Sequence, residues 1–104
     1  MEWHGYIARD GVKSVITLNW FVILSGKVTG AGAYRGKRVS LSGSWDLSTD
    51  SVSIERLDEG KEDIFIYRGG VNSSVDYIRT SYTWRDGTKY KFKLSKNPLK
   101  VRKT

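Results

Sequence analysis

The chain has 104 residues, no cysteine and a formal net charge of +7, from 18 Lys+Arg against 11 Asp+Glu. This length suits one domain with its own core, and the lack of cysteine excludes disulfide frameworks, thiolate zinc sites and a cysteine nucleophile. The longest apolar run, Trp20 to Leu24, is far below the ~20 residues that a membrane-spanning helix needs.

Met1 to Tyr6 carry an acid, Glu2, and no apolar stretch, so they read as neither signal peptide nor anchor. The expected compartment is the cytoplasm, unless an export signal has been removed. Beyond this start, turn signals recur at Asp10-Gly11, Ser25-Gly26, Arg35-Gly36, Ser48-Thr49-Asp50, Glu59-Gly60, Val71-Asn72-Ser73 and Asp86-Gly87. Seven turns imply eight strands. The text between them is rich in β-branched and aromatic residues and mostly alternates with period two, which predicts strands at Trp3–Ala8, Val12–Trp20, Lys27–Tyr34, Arg38–Asp46, Ser51–Leu57, Asp63–Arg68, Val75–Trp84 and Thr88–Lys96. Nothing reads as a long helix. Phe21 to Leu24 breaks the alternation and reads as a bulge, a short helical turn or part of a long loop.

Lys27 to Trp45 writes one strand pattern twice across a tight turn. Val28, Gly30, Gly32 and Tyr34 share one face, as do Val39, Leu41, Gly43 and Trp45. Glycines on inward strand positions point to a sheet that curls, and the space they leave goes to large neighbours or to a ligand. The inward set is Trp3 or Tyr6, Ile16, Leu18, Trp20, Val28, Tyr34, Val39, Leu41, Trp45, Val52, Ile54, Ile64, Ile66, Ile78, Tyr82, Trp84, Tyr90, Phe92 and Leu94. The fold class is all-β: a single-domain antiparallel up-and-down meander of about eight strands over residues 1–96, closed as a small β-barrel, with a β-sandwich as the alternative and residues 97–104 as a flexible basic tail.

The strand-turn-strand opening from Gly5, the glycine-bearing strand ending at Tyr34 and the run Val39-x-Leu41-x-Gly43-x-Trp45-Asp46 resemble the first half of avidin-like and other small calycin-type, lipocalin-like meander barrels. The resemblance covers roughly the first 46 residues in pattern and the topology beyond them. It implies architecture and transfers no binding residue.

Catalytic chemistry finds little to stand on. His4 is the single histidine and sits at the N-terminus, and no Cys/His or carboxylate-His pair has metal-ligand spacing. Glu55, Asp58, Glu59, Glu62 and Asp63 cluster about one turn, either as a cation or acid/base site or as a solvated hairpin end that keeps the chain soluble; the second is preferred. Gly69-Gly70 lacks the lysine and helix start of a phosphate loop. The chain is therefore expected to bind and not to catalyse, with no cofactor and no metal.

Two binding surfaces present themselves. One is an aromatic-lined open end of Trp20, Tyr34, Trp45, Tyr82 and Trp84, at whose mouth Arg68 and Arg79 either turn inward to meet an anionic head or, on parity, face solvent. It would take a small apolar or anionic ligand, or a protein partner in the manner of an inhibitor. The other is electrostatic. Residues 1–84 are charge-neutral, so the whole positive excess falls in the last twenty. There Lys89, Lys91 and Lys93 alternate with Tyr90, Phe92 and Leu94, and Arg85, Lys96, Lys100, Arg102 and Lys103 extend the series. The alternative function is accordingly nucleic-acid binding along this ladder, weighed against a solvated face with edge-guarding lysines. No membrane partner is expected, and a homodimer is open.

Overall fold

A computed structural model describes residues 3–97 of the chain. Eight antiparallel strands follow one another as a meander: β1 (His4–Arg9), β2 (Val12–Leu24), β3 (Lys27–Tyr34), β4 (Lys37–Trp45), β5 (Ser51–Asp58), β6 (Ile64–Val71), β7 (Tyr77–Thr83) and β8 (Lys89–Ser95). The last strand pairs back onto the first, with Gly5 opposite Leu94 and Ile7 opposite Phe92, so the sheet closes as a barrel and not as a sandwich. Closure leaves no edge strand. This is the architecture implied by the resemblance to lipocalin-like meander barrels.

Local chemistry explains the hairpins. At Arg35-Gly36 both residues have positive φ, 51° and 79°, the type I′ geometry whose twist matches that of the flanking strands, and Asp10-Gly11 and Ser25-Gly26 repeat it. The β3–β4 wall curls where its glycines lie. A Cβ on Gly43 would stand 1.9 Å from the carbonyl oxygen of Ser53, and one on Gly32 would stand 2.0 Å from that of Thr17. Only bare backbone lets these neighbouring strands approach so closely. The space beside Gly30 is filled from within by the Phe21 ring.

Two strands depart from the predicted inward set. In β2 the register slips between Leu18 and Trp20, so one strand runs through to Leu24 and the break in alternation is a β-bulge. The slip reverses the faces beyond it: Phe21 is buried, whereas Trp20 is 51% exposed on the outer wall beside Val22 and Leu24. In β6 the apolar run Ile64-Phe65-Ile66-Tyr67 satisfies either parity. The pairing with β5 turns Phe65 and Tyr67 inward and leaves Ile64 53% exposed and Ile66 only half-buried.

The interior is packed in its middle by Ile7, Ile16, Val28, Leu41, Ile54, Ile78, Phe92 and Leu94, all essentially inaccessible. The inward hydroxyl of Thr80 donates to the carbonyl of Phe92 at 2.8 Å. The two ends then differ. At the end where the chain enters, Trp3 lies edge-on to Phe21 with ring centres 5.0 Å apart and closes the barrel. Tyr6 is buried as well, but on the outer face, where the Lys13 and Lys93 ammonium groups cover its ring at 5.0 and 5.9 Å. The opposite end, ringed by the Asp10-Gly11, Arg35-Gly36, β5–β6 and β7–β8 turns, stays open.

Candidate functional site

The open end is built from strand termini. β3 supplies Tyr34, β5 Arg56, β6 Phe65 and Tyr67, β7 Tyr82 and β8 Tyr90, while Trp84 and Arg35 come from adjoining turns. Together they enclose a cavity of about 290 Å³. Its aromatic walls pack on one another: Phe65 meets Tyr82 at 5.8 Å in a perpendicular arrangement, and Tyr82 contacts Trp84 and Tyr90 at 6.0 and 6.2 Å. Rings held this way keep the cavity shape without further cross-links.

An arginine forms its floor. The β5 alternation Val52-x-Ile54-x-Arg56-x-Asp58 puts Arg56 on the inward face, and its side chain is only 8% exposed. Burying a guanidinium demands partners. Nε and Nη2 donate to the two carboxylate oxygens of Asp58 at 2.9 and 3.2 Å, and Nη1 donates to the Tyr67 hydroxyl at 2.8 Å. The guanidinium carbon also sits 4.5 Å from the Phe65 ring centre and 4.9 Å from that of Tyr34. Three of the five guanidinium N–H groups are thus used, and two have no protein acceptor among the described residues.

Tyr67 adds a third donor. Burial pushes its pKa above the ordinary phenol range, against the opposing pull of the Arg56 charge, so the hydroxyl keeps its proton at neutral pH. Since its oxygen accepts from Arg56, the O–H is left to donate elsewhere. Around the rim, the Arg85 guanidinium lies 5.2 Å over the Trp84 ring and that of Arg9 lies 5.7 Å over Tyr90. The cavity is therefore apolar at its sides and donor-rich at its floor, with Arg35 and Arg85 at a lip of mixed charge where Arg9 pairs with Asp10 at 3.7 Å. A hollow of about 580 Å³ on the outer wall, lined by Ala31, Ala33 and Leu57, is larger. Its side-chain donors Asn19, Arg38 and Lys61 are all exposed, so it offers none buried as Arg56 is.

The sequence-derived site residues divide into several groups. Tyr34, Tyr82 and Trp84 come together at the open end. Trp45 lies at the opposite end, its Nε1 donating to Asp50 at 3.4 Å, and Trp20 is on the outer wall because of the β2 bulge. Arg68 and Arg79 stand on outward parity beside Lys89, Lys91 and Lys93, not at the mouth. Arg85 belongs to the rim, and Lys96 covers Trp3 at 5.5 Å at the closed end. Lys100, Arg102 and Lys103 lie outside the described residues. Sequence reasoning missed Arg56, Phe65 and Tyr67, and it left Arg35 and Tyr90 out of the site. For Arg56 the signal was present in the β5 alternation, and Asp58, grouped there with a solvated acidic turn, is its partner. Among the described residues no group of three or more His, Asp or Glu is placed to hold a metal ion. No family model, no curated protein and no solved structure matches the chain.

Proposed function

We propose that this protein is a binding protein without a reaction of its own, and that its open end takes a small planar molecule bearing a carboxylate or carbonyl acceptor. One observation carries the reading: a guanidinium buried to 8% exposure whose Nη1 and Nη2 each retain an N–H without a protein acceptor among the described residues. Arg56 lines an open cavity and none of its nitrogens is both buried and unpartnered, so the two N–H groups are free to exchange water for a ligand acceptor, a charge-assisted hydrogen bond worth about 1.5–3 kcal/mol. Asp58 neutralises the Arg56 charge, while Arg35 on the cavity wall and Arg85 over Trp84 favour an anionic end at the lip. The aromatic walls suit a flat ring lying against the packed cluster of Phe65, Tyr82 and Trp84.

Cavity size limits the ligand. About 290 Å³ lies at the low end of small-molecule sites and suits a single substituted ring. About ten heavy atoms at roughly 0.5 kcal/mol each give a dissociation constant of about 0.2 mM. The test is a tryptophan-fluorescence titration through that range with aromatic monocarboxylates, matched neutral esters and an aryl quaternary ammonium. The carboxylates should quench saturably, the esters more weakly, and the ammonium not at all; Trp84→Phe should remove the signal and Arg56→Lys should weaken binding about tenfold or more. A preference for the ammonium, or quenching indifferent to Arg56, refutes the reading.

A further inference from the structure

The lysine ladder of β8 belongs to a wider surface. Outward positions of adjacent strands are aligned by the register: Lys91 lies opposite Ser81 and Ser81 opposite Arg68, while Lys93 lies opposite Arg79. On the other side, Lys93 pairs with Tyr6, and Lys13 approaches the same ring. Lys13, Arg68, Arg79, Lys89, Lys91 and Lys93 thus share one wall. The outward positions of β6, β7, β8 and β1 include no Asp or Glu, and none of these six cations has a salt bridge among the described residues.

Edge protection does not account for this concentration. Lysines guard strands with unpaired backbone, yet β8 is paired on both sides, to β7 and to β1. Solubility asks only for mixed signs, whereas a one-signed field costs self-repulsion and attracts a polyanion. The wall is also shaped. At Gly69, where a Cβ would fall 1.8 Å from the Arg79 carbonyl oxygen, the sheet is creased, and a hollow of about 290 Å³ opens between Arg68, Arg79, Ser81 and the three β8 lysines.

We infer that this outer wall is a second binding site, independent of the mouth, for the phosphodiester backbone of a single-stranded nucleic acid. Alternate residues along β8 are about 6.8 Å apart. That is twice the ~3.4 Å rise per nucleotide in a duplex strand, and it suits an extended, unstacked chain. The convex wall presents neither a helix nor a protruding ribbon for a duplex groove. Arg68 and Arg79 form a second cationic row, and half-exposed Tyr77, two positions from Arg79 on the same face, offers a ring for a base to stack on. Recognition is of the backbone and tolerates any base sequence.

The experiment is fluorescence anisotropy of the full chain with a labelled oligothymidylate of about ten nucleotides. Four neutralised phosphates predict an affinity about fiftyfold lower in 200 mM than in 50 mM salt. Arg79→Glu/Lys91→Glu/Lys93→Glu should abolish binding. The milder Lys91→Gln/Lys93→Gln pair, whose fold is checked by thermal melting, should flatten the salt slope by about 1.4. Arg56→Lys at the mouth should bind the oligonucleotide as the wild type does, which separates failure at one site from failure at the other. The inference is overturned by no binding in 50 mM salt, by binding that survives the charge changes, by a duplex of equal length binding as tightly, or by retention on anionic phospholipid vesicles alone.

Discussion

Arg56→Met removes the charge at the floor of the mouth while keeping most of the side-chain volume, and its cost follows from what remains. The Asp58 side chain, 15% exposed, loses both of its guanidinium hydrogen bonds, and the Tyr67 hydroxyl loses its donor. Breaking one partner out of a buried pair costs about 3–5 kcal/mol; the partial exposure of Asp58 places this case at about 3. With a urea m-value of about 1.5 kcal/mol/M, the unfolding midpoint should fall by about 2 M. Asp58→Asn strands the guanidinium instead and should cost a similar amount. In the double variant Arg56→Met/Asp58→Asn neither charge is left behind, so its loss should be smaller than the sum of the singles by about 2–3 kcal/mol. The assay is equilibrium urea unfolding of all four proteins. Strict additivity would refute the reasoning, because it would mean that Arg56 and Asp58 are solvated independently.

Other consequences can be checked separately. Gly43→Ala forces a methyl against the Ser53 carbonyl, so it should lower stability by about 3 kcal/mol in the same urea assay, and an effect below about 1 would contradict the close strand approach. The Tyr67 pKa is raised by burial, so its contribution to stability is present below the unfolded phenol value of about 10 and is lost as pH climbs above it. Ultraviolet difference titration should show one tyrosine that ionises only as the protein unfolds, and this step should be missing in Tyr67→Phe. The Asp46 carboxylate accepts from the Ser48 hydroxyl and, secondarily, its backbone N–H, which lowers its pKa below 3.8; its contribution is present above that value and is lost as pH falls further. Carboxyl NMR should find the Asp46 midpoint below 3.8, and Ser48→Ala should move it upward.

Legibility in the sequence follows the strength of the local signal. Asp10-Gly11, Ser25-Gly26 and Arg35-Gly36 were readable because a two-residue hairpin with positive φ at both positions leaves few residue choices. The curl of β3–β4 was readable because glycine on an inward strand position is costly without a close approach. The face of β6 was not, since Ile64-Phe65-Ile66-Tyr67 is apolar on both parities, and only pairing with β5, with the Tyr67 hydroxyl meeting Arg56, distinguishes them. The β2 slip likewise depends on three-dimensional register, and it moved Trp20 outside. Arg56 was passed over because a charged residue in a strand is ordinarily solvated, although its parity with Val52 and Ile54 already pointed inward. For Arg68 and Arg79 the sequence left the inward and the solvent-facing positions equally open. Closure of the barrel turns them onto the lysine wall.

The central claim concerns two guanidinium N–H groups awaiting an acceptor in an aromatic mouth. Its most direct test is heteronuclear NMR of the full chain, following the Arg56 side-chain N–H signals and the Trp84 indole N–H as an aromatic monocarboxylate is added. Saturable shifts of Arg56 and Trp84, with Trp3 and Trp45 at the other end unmoved, are predicted. An Arg56 side chain that stays unchanged at saturating concentrations of every carboxylate tried would contradict the claim.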